Sequence, residues 1–229
     1  MLYDEWEPVY AAILSEFGYD RAGDERVRDR LRALVADDGG DPLAVDDLEF
    51  GGTVAVCGAA PTLRAELDLA DRADRVVAAS GAAAVCSEHG VAVDCMVTDL
   101  DKTPDTAVAL TDAGVPVAVH AHGDNAAAID RYVPAFDTAS VLPTTQAAPT
   151  PPVCNPGGFT DGDRAAFLAD ACGADELVFP GWDFDDDAVT PEKSRKLRWA
   201  ERLLRWLELR RDERFRILDG RRGRIDPLP

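Results

Sequence analysis

Residues 94–124 read DCMVTDLDKTPDTAVALTDAGVPVAVHAHGD, and the reading of this stretch decides the fold. Two short apolar runs, 94–101 and 115–124, flank a helix-compatible segment. Neither run alternates polar and apolar residues as a strand with one wet face does, so both read as strands covered on two sides. The same texture extends outward, with TVAVCG at 53–58, RVVAASG at 75–81, ASVLPT at 139–144 and ELVFPGWD at 176–183. Short buried strands alternating with helices predict an α/β architecture, a Rossmann-like doubly wound, mostly parallel sheet. Ahead of the sheet, Trp6, Val9, Tyr10, Ile13, Leu14 and Phe17 recur at helical spacing up to Gly18. Val27, Leu31, Leu34 and Val35 mark a second amphipathic helix that stops at the Asp37-Asp38-Gly39-Gly40 breaker. The expected organisation is a small N-terminal helical unit, 1–48, followed by a Rossmann-like domain, 49–229, whose last helix covers about 192–211.

Composition narrows the function. The chain has 229 residues, 46% of them hydrophobic, and 43 Asp plus Glu against 24 Lys plus Arg give a formal net charge of -19. Phosphate neutralisation needs basic surface, so a general nucleic-acid binder is excluded. The only lysines are Lys102, Lys193 and Lys196. Such an Arg-for-Lys, Asp-rich surface suits a halophilic cytoplasm, where salt screens self-repulsion; a merely acidic protein is the alternative. Five cysteines without a CxxC pair read as small buried apolar residues of a reducing compartment. The acidic N-terminus has no basic region leading into an apolar run, and no run reaches the ~18 apolar residues of a membrane span. The expectation is a soluble cytoplasmic protein without a nucleic-acid or membrane partner, its state as monomer or homo-oligomer left open.

In open sheets of this kind ligands gather outside the carboxyl ends of the strands, where the polar motifs of this chain fall. Gly58 allows a tight turn, and the helix start near Pro61 and Thr62 offers amides to phosphate, or is only a strand-to-helix turn. Asp99 and Asp101, two apart in an extended segment, present two carboxylates to one side, as magnesium requires; a chance pair on a wet loop is the alternative. His120 and His122 share a face if their strand persists. Zinc needs a third ligand and the only other histidine is His89, so hydrogen bonding to phosphate or a substrate ring is preferred. Asp124 and Asn125 bind a metal-bound water or cap the next helix. Thr160 with Asp163 has the form of a capping box, with a catalytic role as the competing reading, and Arg164 offers phosphate a fork. Trp182 and Phe184 stack on a heterocycle or belong to the core, and Asp183 reads ring nitrogens or ribose. Lys193 and Lys196, three apart on one helix face, point to phosphate, with a wet helix face as the default.

Together GAAPTL, VTDLD, HAHGDN, GGFTDGDRA, GWDF and KSRKL resemble, in order and spacing from Gly58 to Leu197, the archaeal 6-hydroxymethyl-7,8-dihydropterin pyrophosphokinase (MptE-like) family. The resemblance implies magnesium-dependent transfer of the terminal diphosphate of ATP to a hydroxymethyldihydropterin, releasing AMP, in tetrahydromethanopterin or folate-type pterin biosynthesis. Asp99 and Asp101 match the family's metal-binding acidic motif, which also looks like that of thiamine pyrophosphokinases. Asp99, Asp101, Asp124 and Asp163 are the expected catalytic residues, the first two holding magnesium and Asp124 or Asp163 adding to the metal shell or orienting the substrate hydroxyl, and by the same resemblance these and the residues that follow line the site. Gly58, Thr62, His120, His122, Lys193 and Lys196 bind ATP, and Thr160, Asp161 and Asp183 meet the substrate. Ala60, Ser80 and Trp182 depart from the pattern, where a second glycine, an acidic residue and Met are usual. Two other classes remain: a related diphosphotransferase or glycosyltransferase-like enzyme on another acceptor, and a nucleotide-binding module without catalysis.

Overall fold

A computed structural model describes residues 1–37 and 40–229 of the chain; Asp38 and Gly39, within the breaker after the second helix, lie outside the described residues. Six strands form one sheet: β1 (Thr53–Cys57), β2 (Arg75–Ala79), β3 (Cys95–Thr98), β4 (Val117–Ala121), β5 (Val141–Thr145) and β6 (Glu176–Val178). Their order is β5-β4-β3-β2-β1-β6, and each neighbouring pair is parallel. Along each strand successive side chains enter opposite layers, which is why the runs lack alternation: Val54 and Val56 join one core, Ala55 and Cys57 the other.

The helices α3 (Leu63–Asp71), α4 (Ala82–Glu88), α5 (Pro104–Asp112) and α6 (Ala126–Tyr132) connect β1 through β5, and their buried residues share the Ala55 layer. The chain then returns over the other face as α7 (Asp161–Ala171), places β6 beside β1 and runs through α8 (Pro191–Arg210) into a tail with two 3-10 turns, Arg216–Leu218 and Arg222–Arg224, whose Phe215 and Leu218 join the core. Strand order therefore reverses between β6 and β1, which opens the crevice that open α/β sheets use for ligands. Pro143 sits in the edge strand β5, where its missing N–H costs no central ladder bond. Outside it, Leu43 donates to the Val141 carbonyl at 2.8 Å and Cys154 to that of Pro143 at 2.9 Å, so the edge is covered.

The two N-terminal helices, α1 (Tyr3–Phe17) and α2 (Arg21–Asp37), divide between the layers. Trp6, Val9, Tyr10, Ile13 and Leu14 pack with α7 and α8, whereas Val27, Leu31 and Val35 pack under α6 on the opposite face. Gly18 ends α1 in the left-handed conformation (φ 71°), the expected stop. The corner after it passes the carboxyl end of β5: Trp6 Nε1 donates to the Gln146 carbonyl at 2.8 Å and Arg28 Nη1 to that of Ala148 at 2.8 Å. The five cysteines are free, and all but Cys154 are buried. Among the described residues no helix is long and apolar enough to cross a membrane.

Candidate active site

The loops at the carboxyl ends of the strands, with the start of α7 and one side of α8, enclose a cavity of about 470 Å³. The first loop contributes residues 58–61 to its wall. Gly58 is needed here for a protein contact: a Cβ would run into the Gly181 carbonyl oxygen and come within 2.9 Å of Trp182. Its N–H is also already given to the Pro180 carbonyl at 2.9 Å, and that of Ala60 to Gly181 at 3.0 Å. The glycine thus locks the β1 loop to the β6 loop, and its amide does not face phosphate. Thr62 stands at the exposed entrance of α3, outside the cavity wall.

Two turns supply the acidic centre. β3 stops at Thr98, so Asp99 and Asp101 are not brought together by strand alternation as expected. Leu100 takes a left-handed conformation (φ 67°), and the turn closes through Thr98 Oγ1 accepting from the Leu100 N–H at 2.9 Å and Asp99 Oδ1 from the Asp101 N–H at 3.1 Å. The second turn opens α7. Here Asp161 meets the first pair, and one carboxylate oxygen from each of Asp99, Asp101 and Asp161 lies within 4.8 Å of the others. Three hard oxygen donors this close suit a divalent cation and repel one another without it. The electrostatics follow. Burial and then the Asp99 charge push the Asp161 carboxyl up to about 7, against the pull of Arg164. Burial and Asp99 also raise Asp101. Burial presses Asp99 upward too, but His122, Arg164 and Asp101 together hold it well below the usual carboxylate range.

Asp163 turns the other way. It is fully buried, its Oδ1 accepts the N–H groups of Phe159 at 2.7 Å and Thr160 at 2.6 Å, and Thr160 Oγ1 reaches Oδ2 at 3.4 Å. The Thr160 N–H contact is that of a capping box, the Phe159 N–H adds a second backbone donor to it, and burial pushes the Asp163 carboxyl up to about 6. Arg164, almost buried, gives Nη1 to Asp161 at 3.0 Å and Nη2 to Gln146 Oε1 at 3.2 Å.

The histidine pair is also divided, because β4 ends at Ala121. His122 faces the cavity with Nε2 3.4 Å from Asp99 Oδ2, while His120 is buried beneath it, its Nδ1 3.0 Å from Thr144 Oγ1 and its pKa driven well below the ordinary value by burial and by Arg164. Asp124, Thr160, Asp183, Lys193 and Lys196 line the cavity as expected from the sequence. So does Lys102, to which the sequence reading gave no role, so all three lysines of the chain line the one cavity; their rarity is the signal that could have included it. Lys193 is accessible from the cavity, yet partial desolvation and the Lys102 charge lower its pKa. Lys196 is tied to Glu192 at 3.2 Å and lies 5.7 Å from the Tyr19 ring centre. Trp182 is half-buried in the wall and held by Nε1 to the Val56 carbonyl at 2.8 Å, while Phe184 belongs to the core. Ser80, noted in the sequence as a departure from the family pattern, also lines the cavity, and Tyr19, Gln146 and Asp186 join it without any motif having indicated them.

Comparison with known proteins places the chain beside named relatives. Residues 43–188 match the family model described as 6-hydroxymethylpterin diphosphokinase MptE-like. The chain is 38% identical to the 6-hydroxymethyl-7,8-dihydropterin pyrophosphokinase of Methanothermobacter thermautotrophicus, across 92% of this chain and 97% of that protein. It is 36% identical to the protein of that name from Pyrococcus furiosus, across 91% and 95%, and 29% identical to that from Methanocaldococcus jannaschii, across 89% and 95%.

Proposed function

The chain belongs to the MptE-like family, and from that premise we propose that it is a magnesium-dependent diphosphotransferase that converts ATP and 6-hydroxymethyl-7,8-dihydropterin to AMP and the pterin diphosphate. The observation that carries this reading is the convergence of Asp99, Asp101 and Asp161 with all three lysines of a strongly acidic chain on one cavity. Asp99, Asp101 and Asp161 would hold the cation, the last in place of the substrate contact expected from the sequence. Bound there, magnesium supplies positive charge against the phosphate oxygens that gain negative charge as the diphosphate moves.

The protein's own groups do the rest. Lys102, Lys193 and Lys196 draw a polyphosphate into a site that the net charge of the chain would otherwise repel. The pterin hydroxymethyl oxygen attacks the β-phosphorus in line and gives its proton to solvent; a new O–P bond forms there, the bond from that phosphorus to the oxygen bridging to the α-phosphate breaks, and AMP leaves with that oxygen. Asp124 is open to the cavity and is the group we assign to orient the attacking hydroxyl, since Asp163 is committed to the α7 turn. Asp183, beside Trp182, stays on the side assigned to a ring or ribose. The Asp-rich surface outside the cavity fits work in a high-salt cytoplasm and takes no part in the reaction. Incubation with ATP, Mg2+ and the pterin, followed by 31P NMR, tests the reading: AMP and pterin diphosphate appear in equal amounts. Release of ADP, or AMP formation independent of the pterin, would refute it.

A further inference from the structure

A buried chain of hydrogen bonds runs from the N-terminal helices to the acidic centre. Asp24 of α2 is 3% exposed, and donors from three other parts of the fold occupy its carboxylate: the Gly123 N–H on Oδ1 at 2.7 Å, and the Tyr10 hydroxyl at 2.7 Å and Gln146 Nε2 at 2.8 Å on Oδ2. Gln146 carries the chain onward. Its Oε1 accepts from Arg164 Nη2 at 3.2 Å, and Arg164 Nη1 reaches Asp161 at 3.0 Å. The polarity of every link is fixed. Asp24 offers only acceptors here, so Gln146 must turn its amide NH2 toward it and its carbonyl toward Arg164, which has only donors. The main chain of Gln146 is held by Trp6 Nε1 and Asn155 Nδ2 on its carbonyl, at 2.8 and 3.0 Å. Only the side chain is therefore free to respond to a change at Asp24.

We propose that Asp24 is a positioning residue for the cation site: through Gln146 and Arg164 it sets where the Asp161 carboxylate stands. Asp24 touches none of the three carboxylates and lies outside every motif at the strand ends. The inference rests on reading Asp99, Asp101 and Asp161 as the cation site, and it follows the rule that partners behind a ligand tune metal affinity about as strongly as 10- to 100-fold. It also gives α1 and α2 a part in the chemistry, because Tyr10 and Asp24 belong to them.

The substitution Asp24→Asn keeps the shape and reverses the polarity. Gln146 then relieves the meeting of two NH2 groups by turning its carbonyl to Asn at 24, which leaves its NH2 against Arg164. Adding Gln146→Glu restores an acceptor toward both neighbours. Titration of Mn2+, followed by electron paramagnetic resonance on the full chain, should show affinity at least about tenfold weaker in Asp24→Asn and back within about threefold of wild type in the double variant. Gln146→Met, which cuts the chain while leaving Asp24 its other two donors, should lose about tenfold as well. Wild-type affinity in Asp24→Asn or in Gln146→Met, or a double variant as weak as the single one, would overturn the inference. A wild-type protein that binds no Mn2+, or binds it equally after Asp99→Asn, would remove the cation site itself and the inference with it, a result separable from the others.

Discussion

Thr98-Asp99-Leu100-Asp101 and Thr160-Asp161-Gly162-Asp163 have the same form, T-D-x-D, and the fold uses them differently. The first ends a strand, and the next helix begins only at Pro104, so few backbone donors need partners and both carboxylates stay turned to the cavity. The second opens α7 at once, and two N–H groups at its entrance claim Asp163. Asp161, two positions earlier, escapes that demand and completes the centre with Asp99 and Asp101. Asp99 satisfies one backbone N–H and still reaches the cavity, whereas Asp163 takes two together with the Thr160 hydroxyl and stands outside the cavity wall.

The sharpest way to break this comparison is to neutralise its members one at a time. Asp99→Asn and Asp101→Asn should each lower kcat/KM on the order of a thousandfold, the several kcal/mol expected of a lost cation ligand. Their thermal midpoints should hold or rise, since mutual repulsion is relieved. Steady-state kinetics and calorimetry on the same preparations check both halves. Lys193→Met follows with a loss of about a hundredfold in kcat/KM, as for removal of one donor to a developing charge. Lys196→Met should lose about tenfold or less, because its ammonium is shared with Glu192. Asp163→Ala inverts the pattern: urea unfolding should show about 2 kcal/mol less stability, the worth of a helix cap and its buried donors, while the folded enzyme keeps most of its turnover.

A carboxylate remote from both turns gives the smallest effect and a control. Glu208 of α8 is buried against Arg205, Arg222 and the Phe215 N–H. Burial presses its pKa up, but these partners outweigh it and bring it below the ordinary 4.5. A lowered carboxylate contributes stability that is complete above its unfolded value and is lost as pH falls through its folded one. Glu208→Gln should therefore cost about 1 kcal/mol near neutral pH, with the gap to wild type closing as the pH drops below 4.5, as read from urea midpoints across pH.

The sheet was legible because fully covered strands leave continuous apolar runs: five of the six runs contained their strands, and only β5 passed the end of its run, by one residue to Thr145. The runs reached past the strand ends, however, and that overreach gave the wrong geometry for Asp99 with Asp101 and for His120 with His122. In both places a turn begins where the last paired residue stops, at Thr98 and at Ala121. The identity of the acidic pair survived the error since a turn and a strand both bring residues two apart together. Asp24, Tyr19 and Gln146 were not legible: Asp24 and Gln146 are 122 positions apart, and no local pattern marks a partner at that distance. The third carboxylate, Asp161, was visible in its motif as a substrate contact, but its meeting with Asp99 and Asp101 depended on the path of α7.

Asp161 is where these contrasts meet, so the Mg2+ dependence of AMP formation in wild type and Asp161→Asn tests the central claim most directly. The wild-type protein should make one AMP per pterin diphosphate. Asp161→Asn should be at least about a hundredfold slower at low Mg2+ and recover in part as Mg2+ is raised. Equal rates at every Mg2+ concentration in the two proteins would contradict it.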